Sequence, residues 1–212
     1  MKKLLITRPN FDPGTSYLFE WSKEIIKEAE KHGINVIDVN GHKVNQASVL
    51  GRLESLKPEF VFLNGHGDEK TYFGHDYAEV INLTTARALK QTLTFIRACG
   101  CLEQLGNKAV QDGCKAFIGY SQDFLSPISD QYCATPLRDP IAEPVKRVSN
   151  EIMHTLLKGK TPPEAVDASR RLTQQYINKI MFSPQFAQDP RFNITLLALV
   201  NNDTNLGYVQ QK

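Results

Sequence analysis

The run Phe60-Val61-Phe62-Leu63 is apolar at every position and stops at Asn64-Gly65-His66-Gly67. A strand wetted on one face alternates polar with apolar side chains, whereas a short unbroken run ended by glycines reads as a strand buried on both faces. Such a strand requires a sheet covered from each side. Further strand-like segments lie at Lys2 to Thr7, Ile34 to Val39, Leu93 to Ala98 and Lys115 to Tyr120. Between these runs lie helical stripes. Ser16 to Lys31 carries Leu18, Trp21, Ile25, Ile26 and Ala29, with Ser16 as the expected cap and Gly33 as the stop. Val44 to Leu56 and Leu102 to Asp112 are two further helices. Strand and helix alternating through short connections predict a three-layer α/β/α sandwich with a mainly parallel sheet of about six strands.

Tyr72-Phe73-Gly74 and Val80-Ile81-Asn82-Leu83 read as a surface hairpin, followed by a helix from Thr84 or Thr85 to Gln91. Helices are expected over Ile141 to Lys158 and Pro162 to Met181. Ile194 to Val200 reads as a last buried strand, and Gly207-Tyr208-Val209 as a returning edge. Ser121 to Pro140 has no helical stripe and forms a long loop at the sheet edge where the fourth and fifth strands end; long loops there shape binding sites.

The 212 residues suffice for one domain with a full core. A formal net charge of +2 and the absence of a basic cluster interleaved with aromatics argue against nucleic acid as a partner. No stretch reaches the roughly 18 apolar residues of a membrane helix. The apolar run at Leu4 to Ile6 is broken at Arg8-Pro9, too early for a secretory signal. Cys99, Cys101, Cys114 and Cys133 lack paired Cys-x-x-Cys units, so free thiols in a cytoplasmic protein are expected.

Parallel sheets present their chemistry at the carboxyl ends of the strands. One strand end here carries His66 and another carries Cys99, a proton carrier and a thiol nucleophile. Ala98 and Gly100 flank Cys99 with small residues, and the helix from Leu102 would place its positive end near the thiol and favour thiolate. Cys101 is the rival nucleophile, read as packing or local support. The amides of Gly67 and Cys99 are candidate oxyanion donors. His66, Asp68, His75 and Asp76 form a local set of metal-type ligands without a recognised spacing, and Asp68 and Asp76 read better as turn formers. No phosphate-cradling glycine motif is present.

These residues resemble the caspase-like clan of cysteine peptidases, which includes caspases, metacaspases, gingipain and clostripain types, separases and the bacterial CHAT proteases. The shared motifs are a hydrophobic strand ending in His-Gly, here Val61 to Gly67, and a later one ending in Ala-Cys, here Thr94 to Cys99. The CHAT proteases are closest in pattern, through Leu105-Gly106, Ala116 to Tyr120, Pro163-Glu164-Ala165-Val166 and Leu197 to Thr204. Two departures are Cys101, where the family often has a small residue, and Asn202-Asp203-Thr204 in place of a Gly-Asp-Pro ending.

The resemblance implies a single caspase-like peptidase domain over residues 1–212, without cofactor or metal. It would be a cysteine endopeptidase working through a His66–Cys99 dyad and a covalent acyl-enzyme, on protein or peptide substrates and with a regulatory protein as a further partner. No third acid is nominated. The position two before the nucleophile lines the specificity pocket in the resembling families; here it is Arg97, which would favour cleavage after acidic residues, while Asp123 would either neutralise Arg97 or receive a basic side chain. The alternatives are a catalytically silent regulatory module on the same scaffold, and a metal-dependent hydrolase. The loop 121–140 is a candidate for self-cleavage.

Overall fold

The computed structural model describes residues 2–187 and 189–211. Its centre is a six-stranded sheet whose strands lie side by side in the order 35–40, 3–8, 60–64, 93–97, 116–120 and 206–210. The strands are β1 (Lys3–Arg8), β2 (Asn35–Asn40), β3 (Phe60–Asn64), β7 (Leu93–Arg97), β8 (Ala116–Tyr120) and β9 (Leu206–Gln210). The first five are mutually parallel, and β9 runs antiparallel along β8. A second sheet of β4 (His66–Gly67), β5 (Thr71–Phe73) and β6 (Glu79–Asn82) is antiparallel and grows directly from the end of β3.

The unbroken apolar runs are explained by burial on both faces. Leu5, Val61, Leu63, Ile96 and Phe117 point into one core with α3 (Gln46–Leu56) and α4 (Asn107–Gln111). Leu4, Ile6, Phe60, Phe62, Phe95 and Ile118 point into the other, covered by α2 (Lys23–Lys31), α5 (Glu143–Leu157) and α6 (Pro162–Phe182). Beyond it a third cluster joins Tyr17, Leu18 and Trp21 of α1 (Pro13–Trp21) to α5, α6 and α8 (Phe192–Asn205), with the short α7 (Pro184–Ala187) between the last two. The three-layer α/β/α sandwich is as the sequence predicts.

Several elements depart from expectation. Ile194 to Val200 lies inside α8, not in a strand: Phe192, Thr195, Ala198, Leu199 and Asn202 are its buried positions, a spacing of three and four. An apolar run without polar alternation is ambiguous between strand and helix, and packing on α5 and α6 decided it. The sixth strand is instead β9, around Gly207-Tyr208-Val209. The expected helix from Ser16 to Lys31 is two helices, interrupted at Ser22, whose hydroxyl donates to the Leu18 carbonyl at 2.6 Å. Its cap is Asp12 rather than Ser16: the Asp12 carboxylate accepts from the Thr15 amide at 2.7 Å, with Pro13 in the first turn. The expected helix ending at Gln91 is one 3-10 turn, Ala86–Leu89, and the helix after Cys99 opens with a π turn, Leu102–Gly106.

The loop 121–140 carries two 3-10 turns and is pinned at its far end by buried Asp139, which accepts from Tyr17 Oη at 2.7 Å, Ser129 N at 3.0 Å and Ile141 N at 3.1 Å. Among the described residues no helix is long and apolar enough to cross a membrane.

At the sheet's centre Phe62 and Phe95 stack at 5.1 Å, and the Arg97 guanidinium lies 5.0 Å over Phe62. Phe62→Ala should therefore lower the unfolding free energy by about 3–5 kcal/mol. Urea denaturation measures this, and an unchanged midpoint would contradict the packing described.

Candidate active site

β3 and β7 lie side by side and end together, with Asn64 opposite Arg97. Both side chains are fully buried. Asn64 Oδ1 accepts from Arg97 Nε at 2.9 Å, Asn64 Nδ2 donates to the Thr7 carbonyl at 2.9 Å, and the Asn64 carbonyl accepts from Tyr72 Oη at 2.6 Å. These bonds tie the ends of β1, β3, β7 and the small sheet to one another. Arg97 Nη1 then reaches Ser149 Oγ and Asn150 Oδ1 of α5, each at 2.9 Å. Burial pulls the guanidinium down to about 9, so it remains protonated at neutral pH.

That placement corrects the expected role of Arg97. Its side chain points into the helical layer, with no exposed surface, and is held by neutral acceptors. It does not line a pocket beside the thiol, and among the described residues Asp123 forms no ion pair with it.

Past these buried ends the chain delivers His66 on β4 and Cys99 after β7. The two main chains touch. A Cβ added at Gly67 would sit 2.8 Å from the Cys99 carbonyl oxygen and 2.6 Å from Cys101 Sγ, so only glycine permits this approach. Gly100 turns the chain with φ 67°, and its amide donates to the Gln122 carbonyl at 2.9 Å, bringing the 121–140 loop against the thiol. Cys99 is half-buried, its Sγ 4.0 Å from the Phe124 carbonyl. The Cys99 amide donates to no carbonyl among the described residues. Cys101 is fully buried, its Sγ 3.7 Å from the Thr71 carbonyl, and burial pushes that thiol far up.

The Cys99 thiol is also raised, first by burial and then by the negative charge of Asp123. This corrects the expected helix-dipole effect. The π turn begins three residues beyond the thiol, while Asp123 stands beside it.

His66 has a partner that the sequence reading did not nominate. Asp12 Oδ2 lies 2.7 Å from His66 Nε2. Burial pushes the Asp12 carboxyl up, but the Thr15 amide and His66 outweigh it, and the group is held below its ordinary value. Asp12 follows the end of β1, so a carboxylate just past a third parallel strand was the available signal. The imidazole is further enclosed by Tyr77, stacked on it at 4.8 Å, and by the edge of Phe11 at 5.8 Å. No spacing in the sequence marks these two.

The other ligand-type residues do not assemble. Asp68 Oδ1 accepts from the Lys70 and Thr71 amides, and His75 Nδ1 faces the Asn10 amide at 3.5 Å. Among the described residues no group of three or more histidines, cysteines or acids is placed to hold a metal.

No family model matches the chain, and no curated protein matches it in sequence. Solved structures do match. The crystal structure of the Arg-specific cysteine proteinase gingipain R aligns with a TM-score of 0.53 at 13% identity, over 92% of this chain and 44% of that one. A complex of Porphyromonas gingivalis RgpB pro- and mature domains aligns with a TM-score of 0.53 at 14% identity, over 82% of this chain and 43% of that one. The chain thus spans less than half the length of either, and at this identity the likeness establishes the caspase-like fold. It does not single out the CHAT group.

Neutralising Asp123 should release the thiol. In Asp123→Asn, Cys99 should be alkylated by iodoacetamide faster at neutral pH, with the midpoint of its rate–pH curve moved down. Residue-resolved mass spectrometry measures this, and an unmoved or raised midpoint would count against the assigned cause.

Proposed function

We propose that this caspase-like α/β domain is a cysteine endopeptidase with Cys99 as nucleophile and His66 as proton carrier. The observation that carries the reading is the convergence, at adjacent parallel strand ends, of a half-buried thiol and an imidazole already paired with a carboxylate. Asp12 on Nε2 leaves Nδ1 as the nitrogen that exchanges a proton with the reacting groups. The Cys99 proton passes to His66, Sγ bonds to the scissile carbonyl carbon, and the C–N bond breaks as His66 returns that proton to the leaving amine. Water then attacks the thioester and regenerates the thiol. The Cys99 amide, without a carbonyl partner, is free to donate to the oxyanion, and the Gly67 main chain lies against it.

Burial and the charge of Asp123 both raise the thiol and so disfavour thiolate at Cys99. Asp12 favours the imidazolium that forms once the proton moves. The carboxylate of Asp123 is exposed beside the nucleophile and, among the described residues, without a cationic partner. With Arg97 buried, the expectation of cleavage after acidic residues loses its basis, and Asp123 favours a basic side chain before the scissile bond. The gingipain R neighbour is described as Arg-specific. A basic side chain seated on Asp123 would also remove the negative charge that opposes thiolate.

A peptide chloromethyl ketone with a basic residue next to the warhead should label the protein covalently, and labelling should vanish in Cys99→Ala and persist in Cys101→Ala. Labelling that survives Cys99→Ala would refute the nucleophile; none at all in the native protein would favour the silent module. In an enzyme that turns over, Asp12→Asn should lower kcat by about a hundredfold or more with KM little changed. A change confined to KM would argue against its role on His66.

A further inference from the structure

Tyr77 is the exposed aromatic at the site that the mechanism above leaves without a task. Its ring lies almost flat on the His66 imidazole, with centroids 4.8 Å apart and planes at 24°, yet 59% of the residue is open to solvent. Stacking therefore uses one face and leaves the rest wet, an unfavourable place for a large ring.

The backbone beneath it is unusual. Asp76 and Tyr77 are consecutive non-glycine residues with left-handed φ values of 51° and 57°. Such conformations persist where neighbouring structure over-determines them, and they concentrate at binding and active sites. Here the turn is held on several sides. The His75 amide donates to the Val44 carbonyl at 2.9 Å, and Gly74 and Ala78 close the turn through bonds of 2.8 and 3.0 Å. Gly74 is packed so closely that an added Cβ would lie 2.1 Å from the Val44 carbonyl oxygen. Phe11 meets His66, His75 and Tyr77 edge-on, at 5.8, 5.2 and 5.1 Å, and so braces the phenol ring laterally. The ring is fixed in place from below and from the side, not by burial of its own surface.

Which part of a substrate meets it follows from proton transfer. His66 gives its proton to the leaving amine, so the residue carrying that amine sits on the imidazole's side of the cleft. The geometry points to Tyr77 as a specificity-determining residue. Its open ring is the wall against which the first side chain after the scissile bond packs, and it selects a large apolar or aromatic side chain there. This rests on the peptidase reading above. Substrate contact would cover the phenol surface that the free protein leaves wet, a gain that glycine or serine at that position cannot supply.

Digestion of a randomised peptide library by the native protein, Tyr77→Phe and Tyr77→Ala, with sequencing of the new amino termini, tests this. The native protein and Tyr77→Phe should favour Leu, Phe and Tyr over Gly and Ser after the cut, and Tyr77→Ala should reduce that ratio of kcat/KM by about tenfold. A Tyr77→Ala enzyme of native melting temperature that loses rate equally on all substrates would overturn the inference and make Tyr77 a support for His66 alone. A native profile with no apolar preference, or an unaltered one in Tyr77→Ala, would also overturn it while leaving the peptidase reading intact. Absence of any cleavage that depends on Cys99 would overturn that reading, and the inference with it.

Discussion

The buried bond between Arg97 and Asn64 is the interaction on which the candidate site depends. It joins the last residues of two adjacent parallel strands at the level where the chain leaves the sheet, one residue before Gly65-His66 and one before Ala98-Cys99. Backbone pairing alone sets which strands are neighbours. The side-chain link, extended to Thr7, Tyr72, Ser149 and Asn150, sets where the two exits point relative to β1 and α5. Burying a guanidinium without a carboxylate in contact is costly; Asn64 of β3 satisfies Nε, Ser149 and Asn150 of α5 satisfy Nη1, and Nη2 has no hydrogen-bond partner among the described residues. Asn150 Nδ2 in turn donates to the Glu24 carboxylate at 3.1 Å, and the rings of Phe62 and Trp21 face the cation. A side chain that resembled a specificity determinant thus acts as the fastening of the site.

Two carboxylates flank the candidate pair His66 and Cys99 and act in opposite senses. Asp12 is bound to the imidazole and held ionised by the helix amide it caps, so one residue opens α1 and orients His66. Asp123 stands beside the thiol and opposes its ionisation. Asp12 thus orients the imidazole, while burial and Asp123 disfavour thiolate at Cys99.

The layered α/β architecture was legible because short apolar runs ended by turn residues, as at Phe60 to Leu63, alternate with amphipathic helical stripes, and because His66 and Cys99 lie within two residues of their strand ends. The strand assigned to Ile194 to Val200 failed for the converse reason: an apolar run without polar alternation has no period to read, and only the packing of α8 chose the helix. Asp12 lies 54 residues from His66, and Asp12 and Phe11 were legible locally only as a turn before a helix. Tyr77 reaches the imidazole through a left-handed turn that no propensity favours.

By itself, the sequence determined the places of the five parallel strands along the chain, the burial of the sheet and the two residues that the strand ends present. Those follow from short-range patterning, since apolar area must be buried and glycines permit the turns. The tertiary structure alone decided that Arg97 turns inward, that Asp12 meets His66, that Asp123 faces the thiol and that Tyr77 lies over the imidazole. Each depends on which way a side chain leaves a crowded strand end or loop, and that choice is made by neighbours distant in the chain.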